Sequence, residues 1–388
     1  MGEVELIVVI SVLLLIAPFI SNLLKLPIAV VEISMGAIVG SLGLFHDSHL
    51  FGLIAEVGFL YLMFLAGMEV NLKELIKIDK KIFLLGGGFI ISLYILTFLS
   101  AQVLNLSKIF VVILPMLSVG LIVSVQKEVG KSEWINFAMT IGVIGELVSI
   151  LVLTIISGIF ELGVGIELYK SIFTLFLLIG ILIGGFYMIK TLFWWFPTIR
   201  HYMMPNDDKY NQDIRISFAL FFIMISIMLY LHLDVVLGAF VAGMFIKSFF
   251  EHNIELEHKL SPFGFGFLIT IFFIHVGSTF KLQYLFNIEV LKLTFIIISL
   301  MIALRLISSL IFYKILKKKE IILFALSLSM PLTLLIATAT LAYQANTIDL
   351  IHYNAFILSS ILEVLISMVG IKLIIKQDFL DKKELSIN

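Results

Sequence analysis

Apolar residues in this chain come in long unbroken runs, not in the alternation of a half-buried strand. Runs of about 17–27 residues, almost free of charge, are separated by short polar connections. A helix of that length crosses roughly 30 Å of hydrocarbon. Thirteen runs can be drawn, at roughly 4–24, 28–45, 52–69, 82–104, 109–126, 134–160, 166–189, 214–231, 234–250, 262–280, 288–313, 320–344 and 351–375. Backbone that faces lipid has to satisfy its own hydrogen bonds, so helices are the predicted spanning element. The pattern predicts an all-α polytopic membrane protein with about 13 transmembrane helices. The first run is too long for a signal-peptide core and has no basic segment before it, so it reads as a retained helix. The longest polar connection, 200–215, reads as a hinge between halves.

Composition agrees. Hydrophobic residues make up 61% and charged residues 14% of the 388, against about 25% charged in a soluble domain. The absence of cysteine excludes disulfides, thiolate metal sites and thiol catalysis. A formal net charge of −1 points to no nucleic-acid partner; membrane lipid is the surrounding medium. The placement of charge says more than its sum. Of 26 Lys and Arg, 21 flank one face of the spans and 4 the other, while Arg305 lies inside a span. Basic residues gather on the cytoplasmic side, so the N-terminus is expected outside and the C-terminus in the cytoplasm of a bacterial inner membrane. No Gly-x-x-x-x-Gly-Lys-Ser/Thr loop and no His-Glu-x-x-His occurs, which argues against ATP-driven transport in this chain and against a metalloprotease. The chain reads as no enzyme and needs no cofactor.

Within the runs a few polar groups stand out. Glu146 lies near the middle of 134–160, in Gly142-Val-Ile-Gly145-Glu146-Leu-Val-Ser149. Gly142, Gly145 and Ser149 stand at i−4, i−1 and i+3, so small and polar residues share its side of the helix. A charge at bilayer depth costs roughly 2.5–3.5 kcal/mol even on the lenient insertion scale. Such a group needs a partner, a proton or a bound cation.

Two runs carry a proline well inside: Ile-Leu-Pro115-Met-Leu-Ser118-Val-Gly120, and Ser327-Leu-Ser329-Met-Pro331-Leu-Thr333. Proline removes a donor and frees carbonyls of the preceding turn. Paired, Pro-interrupted, Ser/Thr-rich spans in the two halves point to a secondary transporter with inverted repeats and two crossed broken helices; the bland reading is a pair of kinks. Arg305 has Ser308 and Ser309 on its own face, and Lys314 follows about 13 Å further along a helix, which sets the arginine too deep to snorkel with ease. It is expected to balance the charge of Glu146 or to hold the carbonyl ends of the broken helices. His275 reads as a helix-packing histidine. Glu32, Glu56, Glu69 and Asp234 sit near run ends, where a solvated or capping role is the default. Glu363 is deeper and has no assigned role. The many phenylalanines read as lipid-facing and packing material.

Several stretches together resemble the monovalent cation/proton antiporters of the Kef/Nha-like superfamily. They are Leu26-Pro27 through Glu32, Gly36 and Gly40; Glu56-Val-Gly58 through Phe64-Leu-Ala-Gly67-Met-Glu69; Leu237-Gly238-Ala239-Phe240-Val-Ala242-Gly243; and Ile271-Phe272-Phe273-Ile-His-Val-Gly277. The resemblance covers essentially the whole chain but only the membrane domain; no C-terminal nucleotide-binding regulatory domain is expected.

In that family Leu117-Ser118-Val119-Gly120 would be the broken-helix segment, and Glu146 would fall on the acid that binds cation or proton. Gly145 stands where relatives place a second polar group, and Arg305 falls on a basic residue of a later helix. The resemblance implies a homodimer with a mobile ion-carrying core (about 82–160 and 288–375) and a scaffold (about 4–69 and 166–280). The expected activity is exchange of a monovalent cation, Na+ foremost, for protons. Glu146 and Ser118 would be the cation and proton ligands, Arg305 the charge-compensating group and Pro115, Gly120, Pro331 and Thr333 the broken-helix residues. With one acid the exchange is expected to be electroneutral; the alternative is a gated potassium-efflux pathway without obligatory proton coupling.

Overall fold

The computed structural model describes residues 2–24, 26–43, 49–69, 79–119, 121–122, 125–126, 130, 132–163, 165–196, 211–231, 233, 235–249, 254–280 and 282–385. Their regular structure is helical throughout. The α-helices in chain order are α1 (Gly2–Leu24), α2 (Ile28–Ser41), α3 (His49–Glu69), α4 (Lys80–Val103), α5 (Ile109–Ile113) and α6 (Glu133–Leu162). There follow α7 (Ile166–Trp195), α8 (Gln212–Tyr230), α9 (Val235–Phe249), α10 (Ile254–Phe263) and α11 (Ile269–Thr279), the last two joined by one π-helical turn, Gly264–Leu268. The chain ends with α12 (Ile288–Ser309), α13 (Lys318–Leu328), α14 (Leu332–Gln344) and α15 (Leu350–Leu385).

Among the described residues, eight helices are long and apolar enough to cross a bilayer, or nine if α13 and α14, bent by 40° at their break, form one span. Thirteen complete crossings are therefore not what these residues show. α2 and α9 are apolar but short, and the run at 109–126 is helical only to Ile113 before it breaks. The outward faces are apolar: on α1, Ile7, Leu15, Phe19 and Leu23 are each more than half exposed. That is the pattern of a helix solvated by lipid.

Helix ends follow local chemistry. The Asn287 side chain accepts from the Glu289 and Val290 N–H groups at the start of α12, and Asp79 accepts from Lys81 N–H at the start of α4. Asn105 and Asn346 close α4 and α14 in the left-handed conformation, with φ of 50° and 55°.

The chain divides into two compact units: residues 1–72 with 154–278, and residues 73–153 with 279–388. In the first unit, α3 and α9 touch through glycine. A Cβ on Gly67 would land on the Phe240 carbonyl, and one on Gly243 would land on the Phe64 carbonyl. α2 and α11 repeat the arrangement, Gly36 against the Ile274 carbonyl and Gly277 against Ile33. Small residues are what allow two helices to close to backbone contact in a membrane. The four sequence signatures carrying these glycines thus have a packing reason. Tyr61 lies beside this seam, stacked on Phe218 at 5.5 Å between ring centroids, and its hydroxyl donates to the Leu260 carbonyl at 3.1 Å.

Glu32 departs from expectation. It is buried, not solvated, and accepts a 2.8 Å hydrogen bond from Thr270 Oγ1 on α11. Its place on the α2 face that packs against α11 explains the burial. His275 meets the Phe51 ring edge-on at 4.9 Å, and Glu56 is exposed. Asp234 and most of the 200–215 connection lie outside the described residues.

The second unit is packed around Phe89, Phe137, Phe312 and Phe324, whose neighbouring ring centroids lie 4.9–5.8 Å apart. This cluster joins α4, α6 and α13 to the 3-10 turn Leu310–Phe312 that follows α12. It fixes the segments that carry Glu146 and Arg305.

Replacing Gly243 with leucine should force α3 and α9 apart and cost ~1–3 kcal/mol or more, as overpacking does. Thermal denaturation of the detergent-solubilised protein reads this as a lower midpoint. An unchanged midpoint would mean that the glycine seam does not hold the first unit together.

Candidate functional site

The site is built around a stretch that cannot remain a helix. α5 stops at Ile113, Pro115 brings no N–H to continue the ladder, and residues 116–118 lie outside any helix. In a run of this kind alternate backbone groups point to opposite sides. The N–H groups of Leu117 and Val119 turn toward α6, and the carbonyl of Met116 turns toward α12.

On the α6 side the small-residue face meets these donors. Val119 N–H donates to Glu146 Oε2 at 3.0 Å, and Ser118 Oγ donates to Glu146 Oε1 at 3.0 Å. Leu117 N–H donates to Ser149 Oγ at 3.0 Å, and that hydroxyl donates to the Gly145 carbonyl at 2.7 Å. Glu146 is 2% exposed and Ser149 1%, so these bonds are made out of water. The glycines explain how the break comes so close. A Cβ on Gly142 would meet Val119 Cγ2 at 3.0 Å, and a Cβ on Gly145 would overlap the Leu117 side chain.

On the other side Arg305, fully buried, reaches both breaks. Its Nη2 donates to the Met116 carbonyl, its Nε to Leu328 O at 3.0 Å and its Nη1 to Met301 O at 2.9 Å. Leu328 is the last residue of α13, and Pro331 immediately precedes α14, so the guanidinium fastens the two interruptions to one another. Of the two roles expected for Arg305, these bonds belong to the second: it holds broken-helix carbonyl ends. The Glu146 oxygens take their hydrogen bonds from Ser118 and Val119 instead.

The structure therefore brings together Pro115, Ser118, Gly142, Gly145, Glu146 and Ser149, and places Arg305 and Pro331 at the connected second break. Thr333 is half-buried, and no hydrogen bond among the described residues involves its side chain. Gly120 lies outside the described residues. Two backbone donors escaped the sequence reading. The backbone donors of Leu117 and Val119 have no side-chain signature. Thr338, within the Ser/Thr-rich run that carries Pro331, has its hydroxyl 3.2 Å from Met116 Sδ and donates to Leu334 O at 2.7 Å.

Chemically, the site offers one carboxylate with lone pairs to spare, the Ser118 and Ser149 hydroxyls and neutral backbone oxygen. Among the described residues no group of three or more His, Cys, Asp or Glu gathers.

The profile of a family described as "Sodium/hydrogen exchanger, transmembrane" matches residues 9–377. Among curated proteins, the chain is 27% identical to "Putative Na(+)/H(+) antiporter YjbQ" of Bacillus subtilis (strain 168); the alignment covers 96% of this chain and 63% of that protein, so the chain spans under two thirds of that relative's length. It is also 27% identical to "Probable Na(+)/H(+) antiporter 3" of Methanocaldococcus jannaschii, over 79% of each chain. "Ammonium/H(+) antiporter subunit AmhT" of Alkalihalophilus pseudofirmus is 28% identical, over 70% of this chain and 68% of that one. In fold the chain is similar to the sodium proton antiporter MjNhaP1 of Methanocaldococcus jannaschii, with a TM-score of 0.68 at 16% identity, covering 97% of this chain and 99% of that one.

Removing the Ser149 hydroxyl should leave the Leu117 N–H buried without an acceptor. Ser149→Ala is expected to cost ~1–3 kcal/mol, the usual penalty for such an orphan. A thermal-unfolding comparison checks it, and equal stability would mean that Ser149 does not hold the break open.

Proposed function

The chain belongs to the sodium/hydrogen exchanger family, and from that premise we propose that it exchanges a monovalent cation, Na+ foremost, for protons by alternating access, with Glu146 as the site both ions share. The observation that carries the proposal is the pair of donors, Ser118 Oγ and Val119 N–H, aimed at a carboxylate that is 2% exposed inside a helix break. Each oxygen takes one donor and keeps lone pairs for a proton or an alkali ion. Neutral Glu146 with a proton, or ionised Glu146 with a cation, crosses cheaply; the bare charge does not. Competition of the two ions for one carboxylate is then enough to couple them. Ser118 and backbone carbonyls supply further hard oxygens suited to an alkali ion.

Electroneutral, one-for-one exchange is part of the same reading. Leu117 occupies the position that a side chain on Gly145 would need, so α6 brings a single acid to the break. Arg305, which does not deprotonate, is a fixed cation in this scheme. The second unit contains the whole site and is taken as the moving carrier, the first unit as the scaffold and the seat of a homodimer. The excess of Lys and Arg on one face supports an outside N-terminus and a cytoplasmic C-terminus in the plasma membrane. Two of the relatives carry sodium in their names and one carries ammonium, which supports a monovalent cation as the class. The gated potassium-efflux alternative is not favoured, since those relatives are all named as antiporters.

Proteoliposomes with an internal pH dye test the proposal. Challenge with Na+, K+ or Li+ should move protons in the wild type and not in Glu146→Gln. Because a proton excludes the cation one for one, the apparent KM for the cation should rise about tenfold per unit as pH falls below the titration of the site. An imposed membrane potential should leave the rate unchanged. Cation-driven proton movement that survives in Glu146→Gln would overturn the assignment of the site.

A further inference from the structure

Another buried carboxyl lies in the first unit, on the α2 face that meets α11. Glu32 is 2% exposed and Thr270 3%. Thr270 follows the π-helical turn Gly264–Leu268, and that turn changes which groups need a donor. Ile269 N–H reaches back to the Gly264 carbonyl, so the Phe265 carbonyl does not receive the N–H that an α-helix would bring it. The Thr270 hydroxyl stands in, 2.7 Å from Phe265 O. The same hydroxyl oxygen lies 2.8 Å from Glu32 Oε1.

A hydroxyl has one hydrogen to give. An ionised Glu32 only accepts, and so does the Phe265 carbonyl, so the hydrogen serves one of them and leaves the other contact as two bare oxygens. Given to Glu32, it strands the Phe265 carbonyl in a lipid-bounded helix. Given to Phe265, it sets the Thr270 lone pairs against a bare carboxylate. One added hydrogen, on Glu32, satisfies both contacts. Glu32 then donates to Thr270 Oγ1, and Thr270 donates to Phe265 O.

No positive charge is at hand to hold an ionised Glu32 instead. α1, α2, α3, the π turn and α11 contain no lysine or arginine. Of their other titratable groups, Glu5, His49 and Glu56 are exposed, and Glu3 and Glu69 stand at helix ends. Tyr61 donates to Leu260 O, and His275 packs against the Phe51 ring. Lys259, on the helix before the π turn, is paired with Asp213 at 2.8 Å. Among the described residues no ion pair reaches Glu32.

We propose that Glu32 is a second proton-binding site, permanently loaded, whose proton makes a structural hydrogen bond between α2 and α11 and is not cargo. The inference uses no group of the second unit and stands apart from the reading of Glu146. The hydrogen bonds separate the two acids. Glu146 receives a donor on each oxygen, as suits an anion that loads and unloads, whereas Glu32 supplies the donor itself. Glu32 touches no transported ion; it is a positioning residue that seats α2 on the start of α11.

Infrared difference spectra of the reconstituted protein, wild type against Glu32→Gln at neutral pH, read the charge directly. One protonated carboxylic-acid band should be lost and every ionised-carboxylate band kept; loss confined to carboxylate bands overturns the proposal. Saturating Na+ should leave the Glu32 acid band in place. Its disappearance would make the proton exchangeable and would equally overturn the proposal. If Glu32→Gln does not fold, Thr270→Val takes its place. The acid O–H then loses its acceptor, and the acid band should move to higher frequency; a change in carboxylate bands alone overturns the proposal. The two readings fail separately. A wild type that moves no protons rejects the exchange reading and leaves the Glu32 band where it is, while an ionised Glu32 leaves the test of Glu146→Gln untouched.

Discussion

A carboxylate taken out of water has to be given donors, a counter-charge or a bound ion, and the second unit is arranged around that demand at Glu146. The donors come from backbone that proline has released from helical bonding. Pro115 ends α5, and the residues beyond it turn the Val119 N–H and the Ser118 hydroxyl onto the two carboxylate oxygens. The same interruption exposes the Met116 carbonyl, which Arg305 takes up together with the Leu328 carbonyl of the second break. The two broken helices and the two buried charges are therefore one construction. An unpaired backbone group in a lipid-bounded interior is expensive, so each break needs the side chains that the other elements bring to it.

How much of this was legible follows from which groups carry a side-chain signal. Glu146, Arg305, Pro115 and Pro331 stand out because charge and proline are rare inside apolar runs, and the structure places all four at the breaks. Gly142, Gly145 and Ser149 were legible from helical spacing as one face. That face meets a chain segment with no regular structure, and tertiary packing fixes the meeting. The donors of Leu117 and Val119 were invisible, since every residue but proline has an N–H and only the fold says where it points. Glu32 looked terminal by sequence distance, yet the glycine seam between α2 and α11 draws it inside and gives it Thr270. Spans proved less legible than chemistry, because a hydrophobic run does not say where a helix will be cut, as the stretch after Ile113 shows.

The glycine signatures and the ionisable groups divide the labour of the chain. In the first unit, Gly67, Gly243, Gly36 and Gly277 bring helix backbones into contact, an arrangement that tolerates little change of shape. In the second unit, the polar connections run through Arg305, Glu146, Ser118, Ser149 and a few backbone groups. The proposal stands on the sharing of Glu146 by proton and cation.

Proton release on cation binding tests that claim most directly. Calorimetric titration of the purified protein with Na+, repeated in buffers of different ionisation enthalpy, counts the protons set free per cation bound. One proton should leave per cation bound at a pH where Glu146 is protonated, and none in Glu146→Gln. Stoichiometric Na+ binding to the wild type with no release of protons at any pH would contradict it.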